Sequence, residues 1–553
     1  MIREEIRNLI KKAITGFKEE IKDFSIETPA EKSHGDYSTN VALVLAKKIN
    51  KNPVETANLI KEKISQNNLF SRVEVAGPGF INFFISDKVF IDNLKSIDKN
   101  YGKGAELKNK KVIIDYTDPN PFKEFHIGHL MSNAIGESLS RIFEFQGAKM
   151  KRVCYQGDVG VHVAKAIWGK IKGGDKSWGE AYAYGATAFE EDEDAKKEII
   201  ELNKKIYERR DKDVNKLYDE GKKDSLKHFD ELYKKLDTKF DYFIFESQTG
   251  DIGKKIVEKG LKDGIFENGE NGAIIFKGER YGLHTRVFIN SEGIPTYEAK
   301  DLGLAETKYK KYAYDKSVVV TGNEVNDYFK VMLCAMDKVL PELAERTKHI
   351  GHGMLRLPEG KMSSRTGKVV TGESLIKRVE ELVEEKIKDR ELSKKEKEEI
   401  VEAVSIGAIR YSILKQSIGN DIIYDFDKSI SFEGDSGPYL QYSFTRATSV
   451  LRKAKIEKIK PSFKKVSNEI TQLEKSMSHF PEIVFKTQNS YEPHFLVLYL
   501  TELAGVFNNY YSMNKIVDKN DEYSPYKVAL TEAYTTIMKN GLWMLGIKTL
   551  EKM

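Results

Sequence analysis

The sequence predicts an α/β architecture in which an open parallel sheet, interrupted by a helical insertion, follows a small α/β unit and precedes an all-α domain. Three observations carry this prediction. A strand-helix-strand pattern starts at Lys111, a charged stretch over about 181–239 has sparse apolar residues at helical spacing, and nearly every segment beyond residue 390 keeps the helical period. With 553 residues and about 150 per domain, three or four such units are expected.

In the first hundred residues, Val41, Val44, Leu45 and Ile49 carry helical spacing. Asn52-Pro53-Val54-Glu55 then supplies a cap, a proline at the first helical position and a glutamate three residues past the cap, so a helix should run through Ile64. Val73-Glu74-Val75 and residues 80–83 read as strands around the turn Gly77-Pro78-Gly79. The Lys- and Asp-rich residues 95–110 close the unit.

Val112-Ile113-Ile114 suits a strand buried on both faces, followed by a Pro-rich turn, a helix over about 130–145 that stops at Gly147, and a second strand over 151–155. Such crossovers are right-handed and put ligands at the carboxyl ends of the strands. Ile206, Val214, Leu217 and Leu226 mark the insertion as a solvated helical element without chemistry of its own. Strand signals at 273–276, 285–289 and 317–320 then predict that the parallel-sheet domain resumes. Ser393-Lys394-Lys395-Glu396 is a capping box ahead of the helical part, where Leu496, Leu500, Leu503 and Val506 keep the period.

The bulk composition mainly excludes. Ninety basic against 85 acidic side chains leave a net charge of +5, too slight to indicate a nucleic-acid partner. Two cysteines, Cys154 and Cys334, rule out a disulfide framework and a cysteine-rich zinc site, so no structural metal is expected. The amphipathic start lacks the apolar core of a signal peptide, and no run reaches the roughly 20 apolar residues of a membrane span. The expectation is a cytoplasmic protein with no membrane partner.

Two distant motifs carry the chemistry. His126-Ile127-Gly128-His129 falls where a loop becomes a helix, so both imidazoles can face a phosphate at the helix N-terminus, and Gly128 lets a nucleotide approach the backbone. Lys361-Met362-Ser363-Ser364-Arg365 places cations and hydroxyls between glycines, as a phosphate clamp requires. Together they look like the ATP site of a class I aminoacyl-tRNA synthetase.

The longer matches narrow this further. They are residues 119–130 around the histidines, Gly157-Asp158-Val159-Gly160, Gly293 with Tyr297 and Asp301-Leu302, Gly353-Met354, residues 434–442 with Arg446 following, and Leu545-Gly546-Ile547 before Met553. His34-Gly35-Asp36-Tyr37 and residues 76–82 extend them to the first domain. Over essentially its whole length the sequence resembles the arginyl-tRNA synthetases.

That resemblance implies a class I Rossmann-like catalytic domain over 106–385 with the insertion at about 175–245, an N-terminal tRNA-binding domain over 1–98, and an α-helical anticodon-binding domain over 390–553. It implies ATP-dependent conversion of L-arginine to arginyl-adenylate and transfer to the 3' end of tRNA(Arg), with Mg2+ accompanying ATP, with activation dependent on bound tRNA, and with the enzyme a monomer. Arginine contacts pass to Asp115, Asn120, His126, Tyr297 and Asp301; Asp115 stands where the family usually has Glu, and Asp118 is near enough to share its task. A planar guanidinium demands carboxylates that accept paired hydrogen bonds. ATP contacts pass to Gly128, Glu324, Gly353, Met354, Lys361, Ser363 and Ser364, with Glu324 facing the ribose or the arginine.

The family's usual second loop lysine is Ser364 here, and Lys123 matches the residue that replaces it, so the catalytic set is His126, His129, Lys361 and Lys123. Candidate tRNA contacts are Phe80 and Asn82 in the first domain and Tyr439, Gln441, Tyr442, Arg446, Tyr511 and Met553 in the helical one, with Phe507 a weaker candidate. A nucleotidylyltransferase shares the histidine motif but lacks the helical domain. A non-enzymatic RNA-binding paralogue would have lost the motifs, and a cysteine-specific synthetase needs metal-binding cysteines that are missing.

Overall fold

The computed structural model describes the chain except residues 18–20, 22, 359–370 and 468, and the described residues divide into two units. The first joins Met1–Lys103 to Ser443–Lys486 and Tyr499–Asn540. Its four-stranded antiparallel sheet runs in the order Ile26–Glu27, Tyr37–Thr39, Phe80–Ile85, Phe70–Ala76, under helices that include Ile2–Ile14 and Pro53–Ile64. Asn52 caps the latter as expected, accepting from the amides of Val54 and Glu55 at 2.8 and 3.2 Å. Buried Tyr37 donates to Glu482 at 2.9 Å and Lys475 to Asp36 at 2.8 Å, tying the Gly35-Asp36-Tyr37 turn to the helices of the same unit.

The second unit holds Gly104–Tyr442, Thr487–Leu498 and Gly541–Met553. Its five-stranded sheet is wholly parallel, in the order Thr347–His352, Lys316–Gly322, Lys111–Asp115, Lys149–Gln156, Tyr242–Phe245. The sheet is therefore doubly wound. The order reverses between Lys111–Asp115 and Lys316–Gly322, which opens a crevice at their carboxyl ends.

One expectation fails here. Ile274–Phe276 and Arg286–Ile289 do not extend the parallel sheet but pair with Glu267–Asn268 in a separate antiparallel sheet. Only a short 3-10 turn, Gly278–Tyr281, links the two, and a parallel crossover needs about a dozen residues. The insertion is helical, in Trp178–Glu191, Glu193–Glu208 and Lys212–Lys235. It is more than a solvated element, because Ile199, Ile206, Val214 and Tyr218 share a core with Phe122 and Val163. Among the described residues, no helix is long and apolar enough to cross a membrane.

Candidate active site

The crevice at the switch point opens into a cavity of about 470 Å³ lined, among the described residues, by five carboxylates, Asp115, Asp118, Glu246, Asp301 and Glu324, and by one basic residue, Lys308. Asn120, Tyr155, Tyr297 and Tyr328 add polar lining, and Val319, Phe329 and Met332 form an apolar side. Four of the predicted arginine residues, Asp115, Asn120, Tyr297 and Asp301, are thus brought together from two segments, the end of the strand Lys111–Asp115 with its following loop and the helix Tyr297–Lys311.

Burial raises Asp115, Asp118, Glu246 and Asp301. It pushes up Asp115 against the counter-effect of Lys308, and it pushes up Asp118, which the charge of Asp115 raises further. Asp301 is raised to about 7 by burial, against a hydrogen bond from Tyr328 that holds it down. Glu246 is raised by burial although Lys300 pairs with it at 2.6 Å. Among the described lining residues carboxylates outnumber cations, so a ligand carrying fixed cations favours ionisation of the walls.

The loop after Lys111–Asp115 is strained and held from all sides. Thr117, Asp118 and Phe122 adopt φ of 79°, 48° and 70°, each costing roughly 1–3 kcal/mol in a non-glycine residue. Asp118 accepts from the Tyr155 amide at 2.7 Å, Gln156 donates to the Pro119 carbonyl at 2.7 Å, and the Phe122 amide donates to Ser225 of the insertion at 2.9 Å. Asn120 accepts from the Gly157 amide at 2.7 Å, and a Cβ at Gly157 would lie only 2.8 Å from that oxygen. The neighbouring Asp158 accepts from Ser247, Tyr218 and Lys222, so its burial is overcome and its carboxyl is held low.

His126 caps the helix Ile127–Phe145, whose start precedes the expected one by one turn. Its amide donates to Nδ1 of His129 at 3.1 Å, and the rings stack 3.5 Å apart. Nδ1 of His129 is therefore the acceptor, and a neutral ring carries its proton on Nε2. Burial lowers both histidines, and Lys123 lowers them further. The neutral imidazoles so produced are hydrogen-bond donors beside an ammonium group. Lys123 is itself lowered by burial and lies 5.0 Å over the Tyr182 ring. Glu324 lines the cavity while its charge reaches His126 and His352, so it stands where cavity and histidine motif meet.

Lys361, Ser363 and Ser364 lie outside the described residues. The chain resumes beside the histidine motif, where Thr371 bridges to His126 and the Gly372 amide donates to the Phe125 carbonyl at 2.7 Å. Gly353 is buried, with no room for a Cβ beside the Asn420 carbonyl 2.1 Å away. Met354 donates its amide to Asp421 and accepts at its carbonyl from Ile422, so its exposed side chain rather than its main chain faces outward.

Three family models match the chain in order: an arginyl tRNA synthetase N terminal domain over 1–85, a class I (R) tRNA synthetase catalytic domain over 91–426, and a DALR anticodon binding domain over 440–553. An arginine–tRNA ligase of Clostridium acetobutylicum is 33% identical over 551 residues, with 96% of each chain covered. The chain belongs to the arginyl-tRNA synthetase family. Another arginine–tRNA ligase, of Halothermothrix orenii, is 30% identical over 565 residues, covering 100% of this chain and 99% of its own. The fold recurs in the solved arginyl-tRNA synthetases of Plasmodium falciparum, at a TM-score of 0.81, and Thermus thermophilus, at 0.76. Each is 22% identical to this synthetase; the first covers 100% of this chain and 99% of its own, the second 100% of both.

The candidate tRNA contacts of this synthetase divide by exposure. In the first unit Phe80 is exposed, whereas Asn82 turns inward and accepts from Ser38 at 2.7 Å, which takes its side chain out of reach of a polynucleotide. Arg446 donates to Asn508 at 2.8 Å and lies 5.2 Å over the ring of exposed Tyr511. Phe507 is core, stacked on Tyr534 at 3.9 Å. In the second unit Tyr439, Tyr442 and Met553 are half-buried. Gln441 is fully buried and donates to the carbonyls of Ala403 and Lys548 at 3.0 and 2.8 Å; it braces helix packing and does not offer an edge to a base.

Sequence reasoning missed Tyr328, Lys308, Glu246 and Lys300. Tyr328, Lys308 and Glu246 line the cavity, brought there by the packing of helices, and Lys300 reaches it only through its 2.6 Å pair with Glu246.

Proposed function

We propose that this synthetase, a ligase forming arginyl-tRNA, binds the arginine guanidinium against Asp301 and Tyr297, with Asn120 and His126 at the α-amino and carboxylate groups and Asp115 within the same wall. The observation that carries the reading is the anionic cavity at the sheet's switch point, flanked by the histidine motif. Attack of the arginine carboxylate on the α-phosphate of ATP breaks the bond to pyrophosphate and forms arginyl-adenylate. A ribose hydroxyl of the terminal adenosine of tRNA(Arg) then attacks the acyl carbon and releases AMP.

His126 and His129 donate to the phosphate that gathers charge, Lys361 and Lys123 meet the departing pyrophosphate, and Glu324 meets the ATP ribose. Gly128, Gly353, Met354, Ser363 and Ser364 complete the nucleotide site. Magnesium enters as the ATP complex; among the described residues no group of three or more His, Cys, Asp or Glu side chains could hold a metal ion. Phe80, Tyr439, Tyr442, Arg446, Tyr511 and Met553 serve tRNA. The working form is a cytoplasmic monomer with domains at 1–98, 106–385 and 390–553.

The test is charging of unfractionated tRNA with labelled arginine, using periodate-oxidised tRNA as control. Label should enter intact tRNA only; no incorporation, or equal incorporation into oxidised tRNA, would refute the reading.

A further inference from the structure

We infer that Tyr328 is a positioning residue for arginine, holding the Asp301 carboxylate in the orientation that meets the guanidinium. The inference rests on the reading of Asp301 as an arginine-binding residue.

Tyr328 and Asp301 both line the cavity, and the Tyr328 hydroxyl donates to Oδ2 of Asp301 at 2.5 Å. Among the described residues the carboxylate has no other side-chain hydrogen bond, which leaves its second oxygen to a ligand. With one oxygen tied, the carboxylate loses its rotational freedom and presents the other to an incoming N–H, which lowers the ordering cost of binding. Tyr328 is itself clamped. Its ring packs edge-on to Phe329 at 5.2 Å, and the Arg286 guanidinium lies 5.4 Å from the ring centre. Arg286 pairs with Glu298 at 3.2 Å, and Glu298 lies on the same helix, Tyr297–Lys311, as Asp301. The chain of contacts thus leaves that helix and returns to it.

The hydroxyl is a dependable donor, since burial and the Asp301 charge push the Tyr328 phenol well above its ordinary range. The groups facing Asp301 are Glu246, Asp115, Asp118 and Tyr155, which favour its neutral form, and Lys308 with Tyr328, which favour the ionised one. Asp301 must ionise to hold a guanidinium, so arginine affinity rises as pH passes about 7. Removing the hydroxyl moves that rise to higher pH.

The test is arginine-dependent tRNA charging by Tyr328→Phe between pH 6 and 9, with melting temperature measured alongside. A hydrogen bond to a charged group predicts a rise of roughly 10- to 100-fold in the KM for arginine, a smaller change in kcat, and an upward shift in the pH midpoint of kcat/KM. An unchanged KM and pH midpoint, or a joint fall of kcat and melting temperature with KM unmoved, would overturn the inference. If Tyr328→Phe does not fold, Arg286→Met, which loosens the ring but keeps the hydroxyl, should raise KM to a lesser degree, and an unchanged KM there counts against it. Asp301→Asn separates the two levels. Wild-type KM in that variant refutes the role of Asp301 itself, whereas loss of arginine use there beside an unaltered Tyr328→Phe refutes only the role of Tyr328.

Discussion

Lys308 and Asp115 form a buried ion pair at 3.3 Å in the cavity wall, with the Lys308 ammonium also donating to Ser317 at 3.2 Å. Asp115, proposed above as part of the arginine-binding wall, thus has a resident cation. Removing one partner of such a pair leaves a buried charge uncompensated, at a cost of about 3–5 kcal/mol. Lys308→Met should lower the denaturation midpoint accordingly and push Asp115 toward its neutral form. A variant as stable as the parent would show that the pair contributes nothing.

Lys123 lies close enough to His126, His129 and His162 to lower all three. Lys123→Ala should therefore slow arginine- and tRNA-dependent pyrophosphate exchange about 100-fold or more, as loss of a preplaced charge donor does. Exchange left intact in Lys123→Ala but abolished in Lys361→Ala would show that Lys123 does not replace the lysine absent at Ser364.

Gly303 and Gly253 let the helices Glu246–Lys262 and Tyr297–Lys311 touch backbone to backbone, since a Cβ would come within 2.1 Å of the Thr249 carbonyl at the first and 1.8 Å of the Ala299 carbonyl at the second. These helices carry Glu246 on one side and Tyr297, Asp301 and Lys308 on the other. Gly303→Ala should cost about 1–3 kcal/mol and, by shifting Asp301, raise the arginine KM. Steady-state kinetics with an unaltered KM would show that the helix spacing is not what sets the pocket.

His349 stacks on Phe329 at 3.8 Å and shares a 2.7 Å hydrogen bond with Thr321; burial and then His352 bring it down to about 4. A folded-state value below the ordinary 6.5 means that the unfolded chain binds more protons between these pH values. Its contribution is intact above pH 6.5 and is lost as pH falls toward 4. Thermal midpoints should drop across that window, and less steeply in His349→Gln; parallel slopes would exclude His349 as a source.

What the sequence made legible was what chain neighbours determine. The Asn52 and Ser393 caps form, the latter with Glu396 reaching back, and Tyr297 and Asp301 share one helix as their spacing requires. His126 and His129 fall at the start of the helix Ile127–Phe145, where loop gives way to helix. Less legible were contacts made across the fold. Tyr328 reaches Asp301 from another helix, Ser225 holds Phe122 from the insertion, and residues 274–276 and 286–289 form their own sheet because turn length overrides an apolar pattern that suits either arrangement. Inward-facing Asn82 and Gln441 show the same limit: matching a motif does not tell which way a side chain points.

The most direct test of arginine as the substrate is ATP–pyrophosphate exchange with each amino acid, with and without tRNA. Exchange should appear with arginine when tRNA is present. Exchange driven by another amino acid, or none with arginine plus tRNA, would contradict the account.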